Sequence, residues 1–463
     1  MLSTIASMLP RGLVRDEWDT EHHDWGERVK LFRDYYDGNH RLKLTGNMKR
    51  MLRVSGDQHD QFNDNFCGLV VDTYADRLLV RSIAGDSDEA TEFSETLLDA
   101  NRFDGLQMDI HEATARDGDT FVLLEYDTDA DRVVLHHEPC WDGETGMIAV
   151  YDRRLKNIVV AIKVWYEGDD DQRRVNFYYA DRVEKYIADE SGYGMQPYTD
   201  DSTDERGVAE WLPNVVPVIH YRNKMRTSTQ FGISELSSVI PLQDALNRGL
   251  MSMVMTGELT AFSIRVAKGF MPPAELSPGM WVTIGENGLT PDMVADAYTL
   301  EAGGIVPFIE QANHLIEQIA TISRTPLPST LGGANASGEA LKQRETGLLA
   351  KVRKAQVKIG NAHEDMMALA AIIHNTYATT SVPDSSWRTI WQDAEIRNES
   401  QMIANALSVR EIVGDRETLR LIADVYGYDM QKQEQIVAEQ QQRTIEAMSA
   451  LGGTIAGFDQ FNI

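Results

Sequence analysis

Residues 325–373 read TPLPSTLGGANASG and then EALKQRETGLLAKVRKAQVKIGNAHEDMMALAAII, and the change between the two halves decides the fold. The first half, residues 325–338, holds two prolines, three glycines and small polar residues, which predicts an exposed loop. From Leu341 onward apolar residues recur at steps of three, four or seven, which predicts a helix of about 35 to 40 residues. Such a helix spans about 50 to 60 Å. It is typical of an elongated protein or a large assembly.

Two further helical patterns precede this loop, at residues 233–261 and 305–322. The segment between them, residues 262–304, is interrupted by four prolines and several glycines. It therefore predicts a small subdomain of turns and short strands, inserted between two helices. Pro241 lies inside the first pattern, where it either kinks the helix or opens a second helix at its first turn.

The N-terminal part begins with helical periodicity, at residues 18–36 and 62–79, and changes to strand patterns after Gly118. Short turns separate these strands, which indicates an antiparallel meander rather than βαβ units, and a Rossmann-type nucleotide domain is not expected. A short strand and further helical segments follow the long helix. The predicted fold class is α+β. The predicted strands are residues 121–126, 132–137, 158–166, 175–180, 183–187, 215–221 and 387–391.

The composition is that of an acidic globular protein. The 463 residues are 42% hydrophobic and 25% charged, close to globular averages, so the chain can bury a core. The formal net charge of −28 argues against non-specific adhesion to DNA, which depends on Lys and Arg neutralising phosphates. Cys67 and Cys140 form no CxxC pair, so neither a disulfide framework nor a cysteine zinc site is expected. The most apolar stretch, residues 249–267, is interrupted by Glu258 and Arg265, so we expect a soluble protein with no membrane partner.

One acidic pattern resembles a calcium loop. Asp127, Asp129, Asp131 and Glu138 occupy positions 1, 3, 5 and 12 of a possible EF-hand. Arg132 stands where the sharp turn of that loop requires glycine, and the flanking sequence is strand-like. A hairpin turn is therefore the favoured interpretation, and a calcium site is the alternative.

No motif nominates an enzyme. Gly333 and Gly338 have the separation of a Walker A loop, but Glu339 follows where the phosphate-binding lysine belongs. The Asp-rich runs at residues 169–171 and 200–205 are interpreted as solvated turns. We expect no catalysis and no cofactor, and a metal-dependent phosphoryl-transfer enzyme that uses these turns is the alternative.

One segment runs against the acidic composition. Residues 339–358 carry six basic residues against Glu339 and Glu345, a local net charge of +4. On a long helix this stripe predicts a surface that faces DNA phosphates or a neighbouring subunit. The alternative is that these basic residues pair with acidic groups of the same or an adjacent subunit. The basic residues are Lys342, Arg344, Lys351, Arg353, Lys354 and Lys358.

The order of these elements resembles a portal protein of tailed bacteriophages, the head-tail connector, of the siphophage type. Short segments carry the resemblance, and together they extend over roughly residues 30 to 395. They are YYDG at residues 35–38, the stretch 65–78, VPVIHYRN at 216–223, GISEL at 232–236, IPLQDALN at 240–247 and SGEALK at 337–342.

The resemblance implies a ring, usually of twelve subunits, at one capsid vertex, through which double-stranded DNA is packaged and later ejected. It implies as partners the terminase large subunit, a head-tail adaptor, and the major capsid and scaffolding proteins. It also implies a virion component that is assembled in the host cytoplasm. A non-viral helical scaffold or adaptor protein is the alternative.

The resemblance further implies a division of the chain. The wing would be residues 1–230, the stem helices 231–260 and 306–324, and the small α/β clip 261–305. The tunnel loop would be 325–338, the long helix returning to the wing 339–395, and the helical crown with the tail 396–463. The net charge of −28 suits a channel in which DNA slides, because each phosphate contact would add affinity. The residues expected to line the channel are Ser329, Thr330, Leu331, Gly332, Gly333, Asn335, Ala336 and Ser337.

Overall fold

The structure is a computed structural model, and the chain divides into two compact units, Met1–Ala394 and Glu395–Ile463. Most of the predicted crown lies outside the described residues. The described residues are 2–9, 18–40, 64–152, 154, 157–167, 172–188, 194–224, 229–261, 264–268, 281–284, 296–300, 304–326, 338–395, 407, 408, 414, 418, 436 and 438.

Helices and antiparallel strands are both present in the first unit, which confirms the predicted α+β class. The helices of the described residues are α1 (Leu2–Met8), α2 (Trp18–Tyr36), α3 (Phe66–Ala75), α4 (Asp88–Ala100), α5 (Phe103–Asp117), α6 (Ile240–Ala261), α7 (Val306–Ser323) and α8 (Gly338–Tyr377). The strands are β1 (Val80–Ala84), β2 (Asp119–Asp127), β3 (Arg132–Pro139), β4 (Gly146–Tyr151), β5 (Ile158–Glu167), β6 (Gln172–Tyr178), β7 (Arg182–Ala188), β8 (Met195–Pro197), β9 (Val208–Glu210), β10 (Val218–Arg222), β11 (Ile264–Lys268), β12 (Trp281–Ile284), β13 (Asp296–Leu300) and β14 (Arg388–Trp391).

The long helix α8 has 40 residues, as its periodicity predicts. Leu348, Val352 and Ile359 are buried at helical spacing, on the face that packs against β2, β3, β10 and β14. Burying this stripe stabilises the helix, because in proteins most helical stability comes from tertiary packing of an apolar face.

The predicted meander is confirmed as two antiparallel sheets. One has the order β10-β2-β3, and the other runs β4 to β8 in sequence, with β9 paired to β7. The pair β1 and β14 joins residues 80–84 to residues 388–391, so the segment after α8 returns to the N-terminal part of the chain.

Two hydrophobic cores lie under these layers. The first encloses α8, with Val70 of α3 and Ile319 of α7 among its buried residues. The second lies beneath the sheet of β4 to β8 and includes Trp25, Trp141 and Phe177. Strand β2 contributes Val122 and Leu124 to the first core and Phe121 and Leu123 to the second, so its two faces pack against different cores.

The helix around Pro241 resolves the choice left by the sequence. A 3-10 helix, Glu235–Ser238, comes first, and α6 then begins at Ile240 with Pro241 in its first turn. The proline opens a helix rather than kinking one, because a first-turn residue needs no backbone N–H donor. Between α6 and α7, the short strands β11, β12 and β13 form a small sheet. None of the helices in the described ranges is long and apolar enough to span a bilayer.

Candidate functional site at the base of the 325–338 segment

The segment that was predicted to line a channel is preceded by a sharply terminated helix. Arg324 has a left-handed φ of 61°, and the backbone N–H of Thr325 donates to the carbonyl of Ala320 at 3.0 Å. The Ser323 hydroxyl donates to the carbonyl of Ile319 at 2.7 Å. These bonds satisfy groups that a helix end leaves open. The predicted channel residues, from Ser329 to Ser337, lie outside the described residues.

Lys351 of α8 is enclosed by polar partners from its own subunit. Its Nζ lies 2.6 Å from Glu235 Oε2, donates to the carbonyl of Ser323 at 3.0 Å, and lies 4.4 Å from the centroid of the Tyr74 ring. Only 10% of the side chain is exposed. The prediction that Lys351 faces DNA or another subunit is therefore wrong. The alternative, pairing with an acidic group of the same subunit, holds for this residue.

Glu235 is the centre of this cluster. Its side chain is 1% exposed, and it also accepts from Lys224 Nζ at 2.8 Å and from Asn223 Nδ2 at 2.9 Å. Burial opposes ionisation of Glu235, but the charges of Lys351 and Lys224 outweigh it and hold the pKa of this carboxyl below its ordinary value. Burial lowers the pKa of Lys351, and the Glu235 charge opposes that shift. Each charge therefore favours the ionised form of the other.

A second ion pair holds the first turns of α8. Arg77, just after α3, pairs with Glu345 at 2.8 Å and also donates to the backbone oxygen of Ala394. The Arg324 side chain lies against Gly347, about one turn before Lys351. The end of α7, where the 325–338 segment begins, is thus held against α8, and α8 is also tied to the residues that follow α3.

The remaining basic stripe lies partly on another face of α8. Arg353, Lys354 and Lys358 are exposed, and Val357 beside them is 65% exposed. The side chains of Lys342 and Arg344 lie outside the described residues. The stripe that the sequence predicts as a single surface is therefore divided by burial, because Lys351 is enclosed within the subunit whereas Arg353, Lys354 and Lys358 are exposed.

The four calcium candidates do not form one site. Asp127 Oδ1 accepts from the backbone N–H of Asp129 at 3.0 Å, the Tyr126 hydroxyl donates to Asp131 Oδ1, and Glu138 pairs with Lys163 Nζ at 2.5 Å. Strands β2 and β3 pair in register up to this turn, which confirms the hairpin interpretation. Within the described part of the chain, no three His, Cys, Asp or Glu side chains lie together as a metal site would need.

Comparison with known proteins decides the family. The model of the family "Phage portal protein, SPP1 Gp6-like" matches residues 17–446. The chain belongs to this portal family. It is 25% identical over 422 residues to the portal protein of Mycobacterium phage L5, covering 82% of this chain and 78% of the relative. It is 24% identical over 416 residues to the portal protein of Mycobacterium phage D29, with the same coverage. A solved chain from the neck of an empty gene transfer agent particle is similar at 12% identity and a TM-score of 0.42, covering 82% of this chain and 94% of that one.

Membership of the portal family confirms the predicted function: a virion protein that forms the portal ring at a capsid vertex for the passage of DNA. The sequence did not predict the role of Lys351 inside this portal subunit. Lys351 lies three residues after Leu348 and four before Ala355, both buried, so it borders the apolar face of α8. Lys358 has the same spacing between Ala355 and Ala362 but is exposed, so this spacing alone does not identify Lys351.

Proposed function

We propose that twelve copies of this chain form the portal ring and that double-stranded DNA enters and leaves through its central channel. The match of the portal family over residues 17–446 carries this proposal. The chain itself catalyses no step, and a separate terminase supplies the energy for packaging. The ring assembles in the host cytoplasm together with scaffolding and major capsid proteins.

The proposed roles follow the order of the elements. Residues 1–230 are the wing, 231–260 and 306–324 the stem, 261–305 the clip, 339–395 the long helix returning to the wing, and 396–463 the crown. The small sheet of β11, β12 and β13 between α6 and α7 supports this division, because a clip is an insertion between two stem helices. The clip then contacts the terminase large subunit during packaging and the head-tail adaptor afterwards.

The proposed channel loop is the 325–338 segment. Apart from two prolines and two leucines, its residues are small or polar, so they add little bulk at a constriction. The chain also carries a net charge of −28 that disfavours tight DNA binding. Arg353, Lys354 and Lys358 remain a surface that faces DNA or the adjacent subunit. Their exposure on α8 supports this second proposal.

Deletion of residues 330–336 tests the channel loop. We expect the variant to form rings, because the helix contacts at both ends of the segment are untouched, but to lose DNA packaging or retention. Ring formation is measured by negative-stain microscopy and packaged DNA by nuclease protection in particles. A variant with a Gly-Ser segment of equal length separates loop length from loop chemistry. Normal packaging by the deletion variant would contradict the proposal.

A further inference from the structure

Lys351 is a largely enclosed cation, with 10% of its side chain exposed, beside the apolar face of α8. It lies on the same face of α8 as Leu348 and Val352, which are fully buried. Removing an ammonium group from water is costly even when it is paired, and replacing a buried ion pair with apolar residues is often neutral or stabilising. The stability of the hydrophobic core therefore does not explain why a lysine occupies this position.

The partners of Lys351 come from three separate parts of the chain. Glu235 belongs to the 3-10 helix that leads into α6, Ser323 is the last residue of α7, and Tyr74 belongs to α3. Lys351 itself lies on α8, the helix that follows the 325–338 segment. One ammonium group thus joins the end of α7, where that segment begins, to the fourth turn of α8 and to the start of α6.

The contact with Ser323 also suits the end of a helix. The last carbonyl groups of a helix lack partners within the helix and carry the negative end of its dipole, so a cation is favourable there. Lys351 Nζ reaches the Ser323 carbonyl at 3.0 Å while it holds Glu235 at 2.6 Å. The hydrogen bond to Ser323 and the ion pair with Glu235 each require a particular direction and distance. An apolar contact would allow the helices to shift relative to each other.

We infer that Lys351 is a positioning residue that fixes the end of α7 against α8 and the start of α6, and so sets where the 325–338 segment begins. The consequence for DNA rests on the proposed function, in which this segment lines the channel. The Lys351–Glu235 pair then governs DNA passage without touching DNA.

The test compares Lys351→Met, which keeps the length of the side chain but removes its charge, with Glu235→Gln, which removes the charge of the partner. Lys30→Met places the same substitution at an exposed position of α2 and is the matched control. Val352→Ala opens a cavity beside Lys351 and lowers stability without changing a charge. Each variant is studied as the assembled full-length protein.

The first readout is hydrogen exchange of peptides covering residues 319–326 and 338–350. We expect exchange there to be about tenfold faster in Lys351→Met and Glu235→Gln, and unchanged in Lys30→Met. Wild-type exchange in both charge variants would overturn the inference. If Lys351→Met does not fold, Glu235→Gln decides, since it keeps the volume of the side chain.

The second readout is packaged DNA per particle that contains a portal ring. We expect a loss in both charge variants and none in Val352→Ala, because a merely structural defect lowers the number of rings and not the performance of each ring. Normal packaging by Lys351→Met rings would overturn the link to DNA. The deletion of residues 330–336 is scored in parallel, so a failure of the loop proposal is seen separately from a failure of the Lys351 inference.

Discussion

The contact between His111 of α5 and His363 of α8 predicts how acid destabilises the subunit. The two Nε2 atoms lie 3.0 Å apart, and the Tyr221 hydroxyl lies 2.9 Å from His363 Nδ1. Both histidines are fully buried. Burial lowers the pKa of His111 from 6.5 to about 4, and burial together with the neighbouring His111 lowers the pKa of His363 well below its ordinary value. One nitrogen of the pair donates and the other accepts, so a further proton would break this hydrogen bond.

The sign and size of the effect follow from these values. The folded state holds His111 neutral, while the unfolded chain takes up a proton as the pH falls below 6.5. The stabilisation is therefore complete above pH 6.5 and is lost as the pH falls towards 4. Between pH 7.5 and pH 5.0 the free energy of unfolding falls by about 2 kcal/mol through His111 alone. His363 acts in the same direction.

His111→Gln removes this titration and keeps a side chain that can form hydrogen bonds. We expect the fall in the free energy of unfolding between pH 7.5 and pH 5.0 to be about 2 kcal/mol smaller in the variant than in the wild type. Urea unfolding of the isolated subunit measures it, and Trp391 is a local fluorescent reporter because its ring centre lies 5.7 Å from that of His111. His23→Gln, at an exposed position, is the control. Equal losses in wild type and His111→Gln would refute the reasoning.

Two further stability predictions concern Gly232, which precedes α6, and the buried carboxylate of Asp119 that accepts from the Gly232 backbone N–H. Gly232→Ala should lower the free energy of unfolding by about 1 to 3 kcal/mol, because a methyl group there would lie 2.0 Å from the carbonyl oxygen of Gly118. Gly257→Ala, in open space within helix α6, should instead raise it by about 0.5 to 1 kcal/mol, and equal effects in urea titrations would contradict this account. Asp119→Ala should cost about 2 to 5 kcal/mol, because the buried carboxylate accepts from His220 Nε2 at 2.9 Å and from the Gly232 N–H at 2.8 Å. Asp119→Asn keeps one acceptor oxygen, so we expect it to lower the free energy of unfolding less than Asp119→Ala does. An equally large decrease would argue against these two hydrogen bonds.

Local patterns predict the long elements of this subunit well. The periodicity after Leu341 gives α8, and the alternation after Gly118 gives the meander, because both depend on residues close in sequence. The pairing of β1 with β14 joins residues about 300 positions apart, and strand β1 carries no strong pattern of its own. No periodicity encodes such a contact. The same limit applies to Lys351, whose partners Glu235 and Ser323 are brought together only by the packing of α6, α7 and α8.

The internal ion pairs also change the meaning of the net charge. Arg33 pairs with Asp117 and Asp142 at 3.0 and 2.9 Å, and Lys351 pairs with Glu235. A cation whose charge is neutralised inside the subunit releases no counterion from DNA and adds no phosphate contact. The count of 44 basic residues therefore overstates the positive charge that is accessible to DNA. The same pairs also neutralise some of the 72 acidic residues inside the subunit. Under the proposed function, in which Arg353, Lys354 and Lys358 face DNA or the adjacent subunit, the placement of these exposed cations would decide whether DNA slides or binds. The basic stripe therefore has to be tested residue by residue rather than as one surface.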